Sequence, residues 1–190
     1  MARCGWTALL IFSTAAFSWL AMMIVHEAGH VLHASLSGGT VERVALHPLE
    51  ISRTDVFPNP HPHFVAWGGA VWGCVLPVAA WLVAQRAALR TAPLLRFFAG
   101  FCLIANGAYL GAGVMWPVGD AADLLRSGTP RWLLGLYGAI AISLGLWIWH
   151  GLGPRFGVPR AATPALRLTA LAMLCATVLI CIAELVLSAA

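Results

Sequence analysis

Two histidines and a glutamate near the N-terminus have the types and the spacing that suit metal chemistry. They occur as His26-Glu27-Ala28-Gly29-His30, inside an apolar stretch of the chain. Histidines four residues apart lie on one face of a helix, so both imidazoles can bind the same zinc ion. A glutamate between two such histidines is the usual general base in zinc-dependent hydrolysis. The motif therefore predicts zinc as the cofactor, with His26 and His30 as ligands and Glu27 as the catalytic base.

The alternative to a metal site is a histidine pair that packs inside a helical bundle and hydrogen-bonds to nearby carbonyl groups. A chance match to His-Glu-x-x-His has a probability of roughly half a percent in a chain of this length and histidine content. A packed pair would also leave Glu27 buried without a partner, at a cost of several kcal/mol. Both arguments favour the metal site.

The composition is that of an integral membrane protein. Apolar residues make up 61% of the 190 residues, charged residues make up 9%, and the mean hydropathy is +0.85. A soluble domain carries about 25% charged residues. Five apolar segments are long enough to cross a bilayer. They cover approximately residues 7–36, 64–85, 93–116, 132–151 and 166–188.

These segments predict an all-α membrane protein with about five transmembrane helices. It would form a single integral membrane domain over residues 1–190, with a catalytic core at about 7–127 and accessory spans at about 132–188. The segment 40–56 is rich in valine, leucine and isoleucine and contains a candidate turn at His47-Pro48. It predicts a short β-hairpin-like segment after the first helix.

A catalytic zinc ion needs a third protein ligand and an open position for water. With five spans, the chain returns to the end of the first helix only at loop 37–63, at loop 117–131 and at the C-terminus. Asp120 follows the third span on this side, so we predict that it is the third ligand, with Asp123 as the next candidate. The alternative role for Asp120 is to cap a short helix through Leu124 and Leu125.

Other ionisable residues near the predicted site are weaker candidates. His61 and His63 lie on the same side, before the second span, but such histidines more often sit at the level of the lipid headgroups. His33 is about 10 Å along the helix from His26, which favours a role outside the ligand set. Glu184 in the last span is a further intramembrane carboxylate and can reach the interface near the C-terminus.

The order of these features resembles the site-2 protease family of intramembrane zinc metallopeptidases, in particular its small bacterial members that lack an inserted peptide-binding domain. The resemblance covers roughly residues 15–126, and Val25 to His30 is its specific part. It implies that His26, His30 and Asp120 bind zinc and that Glu27 is the base. The family usually has an Asp-Gly pair at the third ligand, whereas Ala121 follows Asp120 here.

The resemblance implies a zinc metalloendopeptidase of the bacterial plasma membrane that passes the bilayer several times. Its partners would be a membrane-protein substrate and the lipid bilayer, and no clustered basic surface suggests nucleic acid. The leading alternative is a zinc-binding membrane regulator or scaffold that does not cleave, and a metal transporter is a further one. Orientation stays open, because the arginine distribution places the N-terminus in the cytoplasm and the resemblance implies the reverse.

Overall fold

The computed structural model describes residues 3–158 and 163–188. Helices dominate this part of the chain, with one two-stranded sheet and one 3₁₀ turn. In chain order the elements are α1 (Arg3–Leu36), β1 (Val41–Ala45), β2 (Arg53–Val56), α2 (Pro62–Arg86), α3 (Ala92–Ala112), α4 (Gly119–Arg126), α5 (Arg131–Trp149), a 3₁₀ turn (Gly153–Phe156) and α6 (Pro164–Ser188).

Five of the helices are long and apolar enough to cross a membrane, namely α1, α2, α3, α5 and α6. Each contains an 18-residue window with a mean hydropathy between 1.4 and 2.6. The predicted fold class is therefore confirmed, and the chain has the helices of a multi-pass membrane protein. The third span is shorter than predicted. It ends at Ala112 instead of residue 116, because a turn and then Pro117 follow it.

The hairpin predicted after the first helix is present. Its strands β1 and β2 pair antiparallel, with Val41 opposite Val56 and Ala45 opposite Arg53. The connecting turn includes the predicted His47-Pro48, and the amide of Glu50 donates to the carbonyl of His47 at 3.3 Å. Both strands contact α1, so the hairpin lies beside the end of the helix that carries the His-Glu-x-x-His motif.

Glycine lets α1 and α2 approach closely beside the motif. A methyl group on Gly29 of α1 would overlap the backbone carbonyl of Gly68 on α2, and a methyl on Gly68 would lie 2.9 Å from the carbonyl carbon of Gly29. In a bilayer, small residues of this kind drive helix association by permitting backbone contact. The motif is therefore held against the first turns of α2.

Candidate metal centre

The structure brings together the three residues that the sequence predicts as metal ligands. Nε2 of His26 lies 2.9 Å from Oδ2 of Asp120, and Nε2 of His30 lies 3.2 Å from the same oxygen. The two ring nitrogens are 3.1 Å apart. The ligand atoms of all three residues lie within 4.8 Å of one another, so this group could hold a metal ion. The histidines come from α1, and the aspartate from the first turn of α4.

Asp120 does not cap its helix. Helix α4 begins at Gly119 and its N-cap residue is Val118, so the Asp120 carboxylate is available to the histidines. The Tyr109 hydroxyl of α3 accepts a hydrogen bond from the Asp120 amide at 3.1 Å and satisfies one N–H of the first turn. Asp123, the other candidate, instead accepts a hydrogen bond from Arg126 at 2.9 Å on the exposed side of α4.

The donor set is suited to a cation. Nδ1 of His30 lies 2.8 Å from the carbonyl oxygen of Val65, which can only accept, so Nδ1 must carry the proton. In the neutral ring, Nε2 then presents a lone pair towards Nε2 of His26 and the Asp120 carboxylate. Three electron-rich atoms that face each other need a positive charge between them. Two imidazoles and one carboxylate, with room for a further ligand, form a typical donor set of catalytic zinc.

The Asp120 carboxyl is ionised even without a metal. Burial opposes its charged form, but its hydrogen bonds to His26 and His30, and the charge that these rings carry when they bind a proton in place of a metal, outweigh burial. Together they hold the pKa of Asp120 well below its ordinary value. Asp120 is therefore in the anionic form that a metal ligand requires.

Glu27 lies beside the ligand group and is held by the hairpin. The Ser52 hydroxyl donates to its Oε1 at 2.6 Å, and the Thr54 hydroxyl donates to its Oε2 at 2.6 Å. Only 3% of Glu27 is exposed. Two donors of this length satisfy a buried carboxylate and fix its position. The sequence-based expectation that Glu27 would lack a partner in a packed histidine pair is therefore wrong, because the hairpin supplies two donors.

A cavity of about 780 Å³ connects these residues. Its walls come from α1, α2, α3, α4 and the hairpin, and both Glu27 and the ligand group line it. Apolar side chains of α1, among them Trp19, Met22 and Met23, form another part of the wall. The volume falls in the range of small-molecule binding pockets. A chain segment that enters the cavity would reach both the ligand group and Glu27.

The other candidate residues lie outside this group. Nδ1 of His33 donates to the carbonyl of Phe64, and Nε2 of His33 accepts from Trp72, so both ring nitrogens join α1 to α2. His63 is hydrogen-bonded to the Thr129 hydroxyl at 2.9 Å. Glu184 is buried in α6, and neither carboxyl oxygen has a hydrogen-bond partner among the described residues.

Two further residues that the sequence analysis did not assign to the metal site lie beside the ligands. Asn106 of α3 lies 2.7 Å from Nδ1 of His26, and Gly69 of α2 leaves the space that the two histidine rings occupy. The sequence contained a signal for Asn106, because a polar amide in an apolar helix must find a hydrogen-bond partner.

No protein-family model matches the chain, and neither a curated protein nor a solved structure matches it.

Proposed function

We propose that this protein is a membrane-embedded zinc metallopeptidase that cleaves peptide bonds in or near the transmembrane segments of other proteins. The convergence of His26, His30 and Asp120 beside Glu27, at one cavity wall, carries this proposal. The resemblance of the motif region to site-2 proteases supports it. The five apolar helices support a membrane setting for the reaction.

Each residue of the proposed site has a defined task. His26, His30 and Asp120 would hold the ion, and bound zinc supplies a water of lowered pKa and polarises the scissile carbonyl. Glu27 would accept a proton from the attacking water and donate it to the departing amine. Ser52 and Thr54 keep the Glu27 carboxylate in place between these two proton transfers.

The cavity fits an unwound segment of a membrane protein. A helix hides its amide groups in internal hydrogen bonds, so it must be extended before cleavage. The cavity wall combines apolar side chains of α1 with residues of the strand β2. An extended chain could bury apolar side chains against the first and pair with the second.

The decisive test separates metal binding from catalysis. We would purify the full chain in detergent, reconstitute it with a panel of labelled single-span reporter proteins, and measure cleavage and bound zinc. Glu27→Gln should retain zinc and lose cleavage by at least about 100-fold, the scale of a general base. Glu50→Gln, a matched change in the exposed hairpin turn, should cleave like wild type. Undiminished cleavage in Glu27→Gln would overturn the proposal.

One observation favours a second function, that of a zinc-binding membrane regulator or scaffold. Both Glu27 oxygens already accept hydrogen bonds from the hairpin, as a carboxylate with a purely structural role would. A regulator needs the metal but no base. Stoichiometric zinc in a wild-type protein that leaves every reporter intact would select this second function.

A further inference from the structure

The side chain of Asn106 contacts His26 on the side of the ring that faces away from the ligand group. Asn106 lies on α3, and only 1% of it is exposed. Nδ1 of His26 lies 2.7 Å from its Oδ1, and its Nδ2 donates to the carbonyl of Cys102 at 2.9 Å. We propose that Asn106 is a positioning residue that fixes the tautomer and the ring orientation of His26. The inference rests on the proposed metal function.

The orientation of the Asn106 amide follows from its neighbours. The carbonyl oxygen of Cys102 can only accept a hydrogen bond, so the amide atom that faces it is the nitrogen. The atom that faces His26 is then the amide oxygen, which accepts a proton from Nδ1. In the neutral ring this leaves the lone pair on Nε2, the atom that faces Asp120. One amide on α3 therefore determines which nitrogen of His26 can bind a metal.

The side-chain amide of Asn106 also packs against α2 at Gly73. A Cβ atom on Gly73 of α2 would lie 2.8 Å from Nδ2 of Asn106 and 2.9 Å from its Oδ1. Glycine at this position therefore lets the backbone of α2 pack closely against the amide. Three helices meet at this point, since α1 supplies His26, α2 supplies Gly73 and α3 supplies Asn106.

The second histidine ligand has the same tautomer for a different reason. Nδ1 of His30 donates to the backbone carbonyl of Val65, a partner that no side-chain substitution removes. For His26 the corresponding acceptor is the side chain of Asn106, which a substitution can remove. Metal-binding histidines commonly donate their second N–H to such an acceptor, and its loss typically weakens metal binding about 10- to 100-fold.

The test measures zinc affinity instead of cleavage. Full-length wild type, Asn106→Leu and Asn106→Asp would be purified in detergent and titrated with zinc against a chromophoric chelator. Asn106→Leu removes the acceptor at similar volume and should weaken zinc binding about 10- to 100-fold. Asn106→Asp keeps an oxygen acceptor for Nδ1 of His26 but loses the donor to Cys102, so it should weaken zinc binding clearly less than Asn106→Leu does. Gln85→Leu is the matched control, because it also replaces an amide with leucine, at an exposed position of α2 outside the cavity.

The outcomes distinguish the positioning role from the metal site itself. Unchanged affinity in Asn106→Leu, or equal loss in Asn106→Asp, would overturn the positioning role alone. If Asn106→Leu does not fold, nuclear magnetic resonance of ¹⁵N-histidine-labelled wild type with zinc decides the question. A metal bond through Nε2 of His26 supports the inference, and one through Nδ1 overturns it. A wild-type protein that binds no zinc would overturn the proposed function instead.

Discussion

Substitution of Gly69 by alanine should abolish metal binding. Gly69 is a buried residue of α2, and a methyl group there would overlap Nε2 of both His26 and His30. Non-bonded carbon and nitrogen atoms approach to roughly 3.5 Å, so the two ring nitrogens would have to retreat by roughly 1 Å. A metal–ligand distance tolerates changes of only about 0.2 Å. The overlap is therefore several times larger than the site can absorb.

The expected loss of zinc affinity exceeds about 100-fold. Loss of a hydrogen-bond partner behind a ligand already costs about 10- to 100-fold, and Gly69→Ala displaces the ligand atoms themselves. The assay is zinc titration of the detergent-purified protein against a chromophoric chelator. Circular dichroism of the metal-free protein would establish that the helices are retained.

Gly145→Ala is the matched control for crowding between helices. Its methyl group would lie 2.7 Å from Cγ1 of Ile104 at the contact of α5 with α3, so it should destabilise the fold by about 1–3 kcal/mol. Its zinc affinity should nevertheless stay close to that of wild type. Wild-type zinc affinity in Gly69→Ala would refute the reasoning. Equal loss in both variants would refute it too, because general damage to the bundle would then suffice.

Three further substitutions test the neighbouring contacts. The double variant Ser52→Ala, Thr54→Val should reduce kcat/KM for reporter cleavage by about 10-fold or more without loss of zinc. The reason is that hydrogen bonds to a charged group contribute about 1.5–3 kcal/mol each. Faster cleavage by the double variant would contradict this expectation. Asp120→Ala should lose zinc in elemental analysis, whereas Asp123→Ala, whose exposed carboxylate pairs with an arginine, should keep it. His33→Phe removes two hydrogen bonds between α1 and α2 and should lower the thermal unfolding temperature with zinc unchanged; zinc loss would place His33 in the site.

The sequence was informative wherever a local pattern decides the structure. Apolar segments of about 20 residues predicted the spans. A segment rich in valine, leucine and isoleucine, between glycines and prolines, predicted the hairpin. His26 and His30 share a helix face by spacing alone. Asp120 came from counting spans, because the two crossings by α2 and α3 return the chain to the side on which the first helix ends. Span counting places a residue on one side of the membrane, and the structure then places Asp120 Oδ2 2.9 Å from Nε2 of His26.

The remaining contacts depend on how separate elements align. Asn106 meets His26 across 80 residues of sequence, and this pairing depends on the relative rotation of α1 and α3. Ser52 and Thr54 reach Glu27 because the hairpin lies against α1, which no local pattern specifies. Ser, Thr and Asn are also common in turns and in helix packing for other reasons. Their residue types alone therefore did not specify which partner each of them would contact.

The charges of the site explain its composition. Neutral imidazoles add no charge, so Asp120 and Glu27 bring two negative charges to the site. A divalent cation at the ligand group would balance both carboxylates, and the loaded site would have no net charge. A second carboxylate ligand in place of either histidine would leave the site negative, which is costly at membrane depth. Two histidines and one aspartate beside a single glutamate would therefore form a site with no net charge when a divalent ion is bound.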